Sequence, residues 1–203
     1  MHGQARFVLV VIVVVLVMAA VWTWLPPTEA SQEAMKQSIL RYDTASLIAW
    51  PDDSQGATTL PRAVRDELRA AWRTTLAAVS EGDALATMRR FDPVGTLLGE
   101  RRQQPDRVVI ACGGEVAYFD VRRRSFNGAV VVRAAVSSWV ETGTWDAERG
   151  EVVRATRRDQ MSVPVFDYTL RQRGDVWKVV DRAAPKDGPF FYDTETGEFG
   201  SGP

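Results

Sequence analysis

The most continuous hydrophobic segment of the chain runs from Phe7 to Leu25 and contains no charged residue. As a helix it would be about 28 Å long, close to the roughly 30 Å hydrocarbon core of a bilayer. The segment is longer than the apolar part of a signal peptide, and Trp22 and Trp24 occupy positions typical of a membrane interface. The pattern predicts an uncleaved signal-anchor, a single transmembrane helix over 7–25. A cleaved signal peptide is the alternative.

The charges that flank this segment predict its orientation. Arg6 precedes it, whereas Glu29 and Glu33 follow it. Because positive charge is retained on the cytoplasmic side of a membrane, residues 1–6 are predicted to be cytoplasmic and everything from Pro26 onward to be extracytoplasmic. The predicted location is therefore the cell membrane, with a single pass and a domain in the cell envelope.

Helical periodicity follows the hydrophobic segment. Residues 26–60 are predicted to form a juxtamembrane helix, capped by Thr28 and extending to about Trp50, and then a linker. The clearest helix is Pro61 to Val79, whose apolar positions recur every three or four residues. These positions are Val64, Leu68, Trp72, Leu76 and Val79. After it we expect a short helix from Ala84 to Phe91, a further turn over Val94–Leu98, and a polar, exposed connection from Gly99 to Asp106.

After Arg107 the hydrophobic period changes to two, which predicts strands. They are Arg107–Ala111, Glu115–Arg124, Ala129–Glu141, one within Glu151–Arg171 that bends near Pro164, and Val176–Asp181. Gly113–Gly114 predicts a bulge or a sharp bend, and Asn127–Gly128 predicts a hairpin whose two central residues have positive φ. We therefore expect an α+β fold in which helices pack on one face of an antiparallel meander. The tail, 183–203, is predicted to be flexible, or to form a small hairpin over 190–197.

Composition excludes several kinds of chemistry. Basic residues number 25 and acidic residues 26, a balance without general attraction for nucleic acid. The single cysteine, Cys112, forms no intrachain disulfide and is expected to be a buried, inert thiol. The single histidine, His2, precedes the hydrophobic segment, so the domain has no imidazole for general-base catalysis or metal binding. With no Gly-rich phosphate loop either, we predict no metal and no cofactor.

Four side chains remain as candidates for acid–base catalysis: Asp120, Asp167, Tyr118 and Tyr168. Asp120 and Tyr118 share one face of a strand. Asp167 follows an apolar run, where burial would raise its pKa and make it a base. The favoured interpretation is that each carboxylate pairs with a neighbouring arginine at a sheet edge, and that Tyr168 and Trp177 belong to the core.

The segment from Pro61 to Asp181 resembles the NTF2-like (SnoaL-like) superfamily. The resemblance rests on a long helix that ends in Glu81-Gly82-Asp83-Ala84, and on Tyr168-Thr169-Leu170, a turn at Gly174, and Trp177 to Asp181. It implies a domain over 61–182 with a curved sheet wrapped around helices, a cone that encloses a pocket. It implies no single activity, because the superfamily includes isomerases, dehydratases, binding modules and envelope-assembly subunits.

Together these features predict a non-catalytic, membrane-anchored NTF2-like domain that binds another envelope protein. By analogy, the assembly would be secretion, conjugation or transport machinery, and a homodimer is a further expected partnership. The alternative is a small-molecule-binding protein or a cofactor-free enzyme, similar to an isomerase or a dehydratase. Such a protein would use the pocket of the cone, with Asp120 or Asp167 as the base.

Overall fold

The computed structural model describes residues 11–15, 17–18, 26–188 and 190–200. From residue 26 onward, its helices are α1 (Glu29–Thr44), α2 (Arg62–Val79), α3 (Gly82–Met88) and α4 (Pro93–Gln103), with a 3₁₀ turn at Asp52–Ser54. Its strands are β1 (Arg107–Arg124), β2 (Ala129–Asp146), β3 (Glu151–Asp159), β4 (Ser162–Arg173), β5 (Val176–Ala183), β6 (Phe191–Asp193) and β7 (Phe199–Gly200). Helices precede a large antiparallel sheet, which confirms the α+β class.

The structure contradicts the predicted membrane anchor. Within the described residues, no helix is both long enough and apolar enough to cross a membrane. The transmembrane helix over 7–25, and the signal-anchor assignment that depended on it, are therefore wrong for this structure. Residues 11–15 and 17–18 of that segment are helical, and its other positions, with residues 1–6, lie outside the described part of the chain.

Helix α1 begins as predicted, because the hydroxyl of Thr28 accepts a hydrogen bond from the backbone N–H of Ser31. It ends at Thr44, earlier than the predicted Trp50. Beyond the helix the chain runs along the edge of β1, where the backbone N–H of Trp50 donates to the carbonyl of Val109 at 2.7 Å. A hydrogen bond to a strand distant in sequence thus holds the chain where the last helical turns were predicted.

Helix α2 agrees with the predicted amphipathic segment. Its residues Trp72, Leu76 and Val79 are buried in the main core, and Val64 and Leu68 pack against a second, smaller core. Helix α4 is longer than predicted and includes part of the segment expected to be an exposed connection. Arg101, on this helix, is only 2% exposed.

Strand β2 is the centre of the sheet. It pairs with β1 along its length, with β4 through residues 129–135, and with β3 through residues 139–146. Strand β5 pairs with the other edge of β4. The predicted meander is therefore interrupted, because β4 follows β3 in sequence but pairs with β2. The extended strand is interrupted near Met161, between β3 and β4, and not at Pro164, which lies within β4.

Strand β1 is continuous through Gly113 and Gly114, so the predicted bulge at these residues is wrong. Register shifts occur elsewhere in the strand, between Val109 and Ala111 and at two later positions. The glycines permit close packing instead. A Cβ atom on Gly113 would lie 2.7 Å from the ring of Trp139, and one on Gly114 would lie 2.6 Å from the carbonyl oxygen of Ser137.

The hairpin predicted at Asn127–Gly128 joins β1 to β2. Gly128 has a φ of +79°, whereas Asn127 is not among the residues with positive φ. The N–H of Gly128 donates to the carbonyl of Ser125, and the side chain of Asn127 accepts from the N–H of Ala129. The hairpin is confirmed, but only its glycine adopts the left-handed conformation.

The two faces of the sheet are covered by different elements. Helices α1 and α2 pack on the inner face, and the main core between them includes Met35, Ile39, Leu76, Val130, Val132, Leu170 and Val179. On the outer face, Ala135, Val163 and Val165 pack with Tyr118 and Tyr192. The small hairpin expected in the C-terminal tail forms as β6 and β7, and β6 pairs with β4.

Candidate functional site

Tyr168 is completely buried in β4, as predicted for a core residue. Its hydroxyl donates a 2.5 Å hydrogen bond to Oδ2 of Asp43, near the end of α1. Burial raises the pKa of Tyr168 well above its usual range, and the neighbouring Asp43 carboxylate raises it further. At neutral pH Tyr168 is therefore a neutral hydrogen-bond donor.

Asp43 also contacts Arg182, and both residues border a small polar cavity. Nη1 of Arg182 lies 3.3 Å from Oδ1 of Asp43, and the guanidinium lies 3.7 Å from the ring centre of Phe166. Burial raises the pKa of Asp43, although Arg182 and the Tyr168 hydroxyl oppose the rise. Both Asp43 and Arg182 line a cavity of about 140 Å³. A carboxyl group with a raised pKa beside a cavity has the chemistry of a general base, but Tyr168 itself does not line this cavity.

Asp167 lies on the outer face, opposite Tyr168 in the same strand. Its carboxylate accepts two hydrogen bonds from Arg133, at 2.8 and 3.1 Å. Arg133 also donates to Asp187 at 2.6 Å and to the carbonyl of Gly188 at 2.7 Å. The pairing of Asp167 with an arginine was predicted. Its expected position at a sheet edge is wrong, because β4 lies between β2 and β5.

Asp120 and Tyr118 also lie on the outer face, on β1. Asp120 accepts a 3.0 Å hydrogen bond from Arg122, the arginine pairing that was predicted. Burial and the adjacent Asp120 raise the pKa of Tyr118. The ring of Tyr118 meets that of Phe199 edge-on, with centroids 4.8 Å apart, and lies 5.6 Å from that of Tyr192.

The four predicted candidates therefore do not form one site. Asp120, Tyr118 and Asp167 lie on the outer face, whereas Tyr168 lies in the core on the inner face. Sequence reasoning missed Asp43 and Arg182, the partners of Tyr168. No local pattern indicated them, because Asp43 lies on α1, 125 positions before Tyr168, and Arg182 lies on another strand, β5.

A set of aromatic side chains marks the outer face of the sheet. We call Tyr118, Trp139, Tyr192 and Phe199 the aromatic face. Trp139 lies on the same face of β2 as Ala135, the cross-strand partner of Tyr118. The guanidinium of Arg157, from β3, lies 4.4 Å from the ring centre of Trp139. The aromatic face thus has residues from β1, β2 and the C-terminal hairpin.

The lone thiol lies on the opposite side of the sheet from Trp139. Cys112 is half-buried, so the prediction of a buried thiol is only partly correct, and burial raises its pKa. It lines a cleft of about 220 Å³ beside α4. Across the described residues, no group of three or more His, Cys, Asp or Glu side chains is arranged to hold a metal ion.

Comparison with known proteins does not assign a family. No family model and no curated protein matches the chain. A solved structure, the intermembrane space region of the chloroplast protein ARC6, is similar with a TM-score of 0.35 and 13% identity, over 79% of this chain and 100% of that chain. A likeness at this TM-score supports no inference about fold or function, and the resemblance to the NTF2-like superfamily stays a prediction.

Proposed function

We propose that the chain is a protein-binding domain without a catalytic role, and that a protein partner binds its aromatic face. The observation that supports this proposal is the concentration of Tyr, Trp and Phe side chains on one outer surface, with an arginine stacked on the tryptophan. These residue types dominate the binding energy of protein interfaces, because they bury a large area and lose few rotatable bonds.

Three of the four side chains of the aromatic face pack against one another. Tyr118, Tyr192 and Phe199 contact one another with ring centroids 4.8–5.6 Å apart. Phe199 remains 44% exposed despite these contacts, and the nearby Met161 is 52% exposed. A surface whose side chains are already held in place loses less conformational entropy on association.

Charged pairs flank the aromatic face. Arg157 and Asp159 form an ion pair at 2.6 Å, and Arg122 and Asp120 form another at 3.0 Å. An apolar centre with a polar rim of both signs is the usual arrangement of a protein interface. The mixed rim favours a protein partner that presents an apolar segment with charged flanks over a uniformly charged ligand.

The geometry gives less support to the enzymatic alternative. Its expected bases, Asp120 and Asp167, are both ion-paired with arginines on the outer face. Asp43 is the carboxyl group with a raised pKa beside a cavity, and Arg182 and Tyr168 already contact it. These contacts tie α1 to β4 and β5, which is a structural role.

The test is site-specific photo-crosslinking of the full chain in its native cells. A photoreactive amino acid replaces Phe199 in one variant and Phe126 in the control, since Phe126 is 73% exposed on the β1–β2 turn. We expect a discrete product at position 199 that is absent at position 126. The captured protein is then purified, and its affinity is measured for the Phe199→Ala and Phe126→Ala variants.

The proposal requires that Phe199→Ala weakens binding at least tenfold, about 1.4 kcal/mol, while Phe126→Ala leaves it unchanged. A product made only of two copies of this chain would identify the partner as a second copy, provided that Phe199→Ala also weakens that association. The same products at both positions, or equal affinities of both variants, would overturn the proposal.

A further inference from the structure

The cleft that contains Cys112 lies between α4, the segment after α1 and the inner face of β1 and β2. Its volume is about 220 Å³. Aliphatic side chains form most of its wall: Leu47, Ile48, Pro93, Leu97, Val109 and Val140. Trp139 and Val140 are consecutive in β2, so the cleft and the aromatic face lie on opposite faces of the sheet.

The size of the cleft restricts what it can bind. An apolar cavity of about 150 Å³ is enough to bind benzene, whereas pockets for drug-sized ligands begin near 300 Å³. At about 220 Å³, the open cleft has room for a molecule larger than benzene, such as an aromatic of two or three rings or a short alkyl chain.

The chemistry of the wall restricts the ligand further. Glu100 is the one residue of the wall that is charged at neutral pH, and it is exposed. An anionic ligand would therefore meet a like charge and find no cation in the wall to pair with. The other polar side-chain groups are the hydroxyls of Ser46 and Thr96 and the thiol of Cys112, and the hydroxyl of Thr96 already donates to the carbonyl of Asp92.

We propose that this cleft binds a small, neutral, apolar molecule against the side chain of Cys112. The inference does not rest on the protein-binding proposal, because the two surfaces lie on opposite faces of the sheet. The binding energy comes from removal of apolar surface from water, at about 25 cal/mol per Å².

The first test measures the fluorescence of N-phenyl-1-naphthylamine, a neutral apolar dye, with the full-length protein. Thr96→Trp fills the cleft from its exposed rim, and Thr74→Trp is the matched control on α2. Both threonines are exposed helical residues whose hydroxyls donate to the carbonyl four residues earlier. We expect Thr96→Trp to weaken dye binding at least tenfold and Thr74→Trp to leave it unchanged. The anionic analogue 8-anilino-1-naphthalenesulfonate should bind more weakly than the neutral dye.

The second test uses Cys112 as a local reporter. It is the single cysteine of the chain, so a maleimide reagent labels one site. Saturating dye should slow labelling of Cys112 at least tenfold in the Thr74→Trp protein and have little effect in the Thr96→Trp protein. This readout distinguishes dye bound in the cleft from dye adsorbed at the hydrophobic segment 7–25. Equal dye affinities of the two variants, with labelling that the dye does not change, would overturn the proposal.

Discussion

The hydroxyl of Tyr168 donates a 2.5 Å hydrogen bond to Asp43, a residue 125 positions earlier in the chain. The side chain of Asp43 is 14% exposed, and Arg182 lies on its other oxygen at 3.3 Å. One carboxyl group thus connects α1 with β4 and β5. These contacts help to hold α1 against the inner face of the sheet.

Tyr168→Phe should lower the free energy of unfolding by about 1.5–3 kcal/mol, the usual contribution of a hydrogen bond to a charged group. The matched variant is Tyr42→Phe, which removes a longer bond, 3.3 Å, to the uncharged carbonyl of Ala84. Its expected cost is about 1 kcal/mol. Urea unfolding at pH 7 measures both values. Equal costs for the two variants would show that the Asp43 contact has no special strength.

The same tyrosine predicts a loss of stability in alkali. Burial raises the pKa of Tyr168 in the folded state, so the folded protein keeps a proton that the unfolded chain releases near pH 10. The stabilising contribution is complete below about pH 10 and is lost as the pH rises towards the folded pKa, by up to about 1.4 kcal/mol per pH unit. Burial also raises the pKa of Tyr42, so Tyr168→Phe should reduce the alkaline slope without abolishing it. If stability fell equally steeply with rising pH in the unsubstituted and Tyr168→Phe proteins, the loss could not be assigned to Tyr168.

Arg133→Met should destabilise the outer face strongly. The side chain of Arg133 is 7% exposed and pairs with Asp167 at 2.8 Å and Asp187 at 2.6 Å. Its removal leaves a partly buried carboxylate unpaired, which costs about 3 kcal/mol. Arg62→Met is the control, since the side chain of Arg62 is 88% exposed and its ion pair contributes at most about 1 kcal/mol.

Limited proteolysis gives a local readout for Arg133, beside urea unfolding, which measures the loss of stability. The carbonyl of Gly188 and the carboxylate of Asp187 are both held by this arginine, next to the trypsin site at Lys186. We expect trypsin to cleave at Lys186 faster in Arg133→Met than in the Arg62→Met protein. Equal cleavage rates would indicate that other contacts are sufficient to hold the segment.

Two glycine substitutions should have effects of opposite sign. An alanine at Gly114 would place its Cβ 2.6 Å from the carbonyl oxygen of Ser137 and 2.9 Å from Cγ2 of Thr44. The overlap should cost about 1–3 kcal/mol. Gly99 lies within α4 with nothing within 4 Å of the added atom, so Gly99→Ala should stabilise by about 0.4–1 kcal/mol. Thermal unfolding measures both effects. Unfolding temperatures that shifted in the same direction for the two variants would contradict this packing.

Arg101→Lys should be far more damaging than its neighbour Arg102→Lys. The guanidinium of Arg101 donates to the backbone carbonyls of Gln55, Ala57 and Arg107, at 2.6, 3.2 and 2.7 Å. An ammonium group cannot reproduce this planar set of donors, and partly buried carbonyls left unpaired cost up to about 1–3 kcal/mol each. Arg102 is exposed, and its substitution should cost under about 0.5 kcal/mol. Chemical denaturation that showed equal stability for the two variants would contradict this role.

Local signals in the sequence predicted the elements that depend on local interactions. The apolar stripe of α2, the Thr28 cap of α1 and the hairpin at Gly128 each involve residues within a few positions of one another. The arginine pairing of Asp120 was equally local, because Arg122 follows it by two residues on the same strand face. These features require no knowledge of where the rest of the chain lies.

Only the tertiary structure decided which distant residues meet. Pairing of β4 with β2, the burial of Arg101 and the close packing at Gly114 all depend on elements far apart in sequence. The same holds for Asp43, which is an ordinary surface-type residue in the sequence. The packing of α1 on the sheet places its carboxyl group against both Tyr168 and Arg182. Propensity and periodicity report on neighbours along the chain, whereas a buried charge is stabilised by whatever the fold places beside it. Sequence therefore determined the kinds and order of the elements, and long-range packing determined the surfaces that they form.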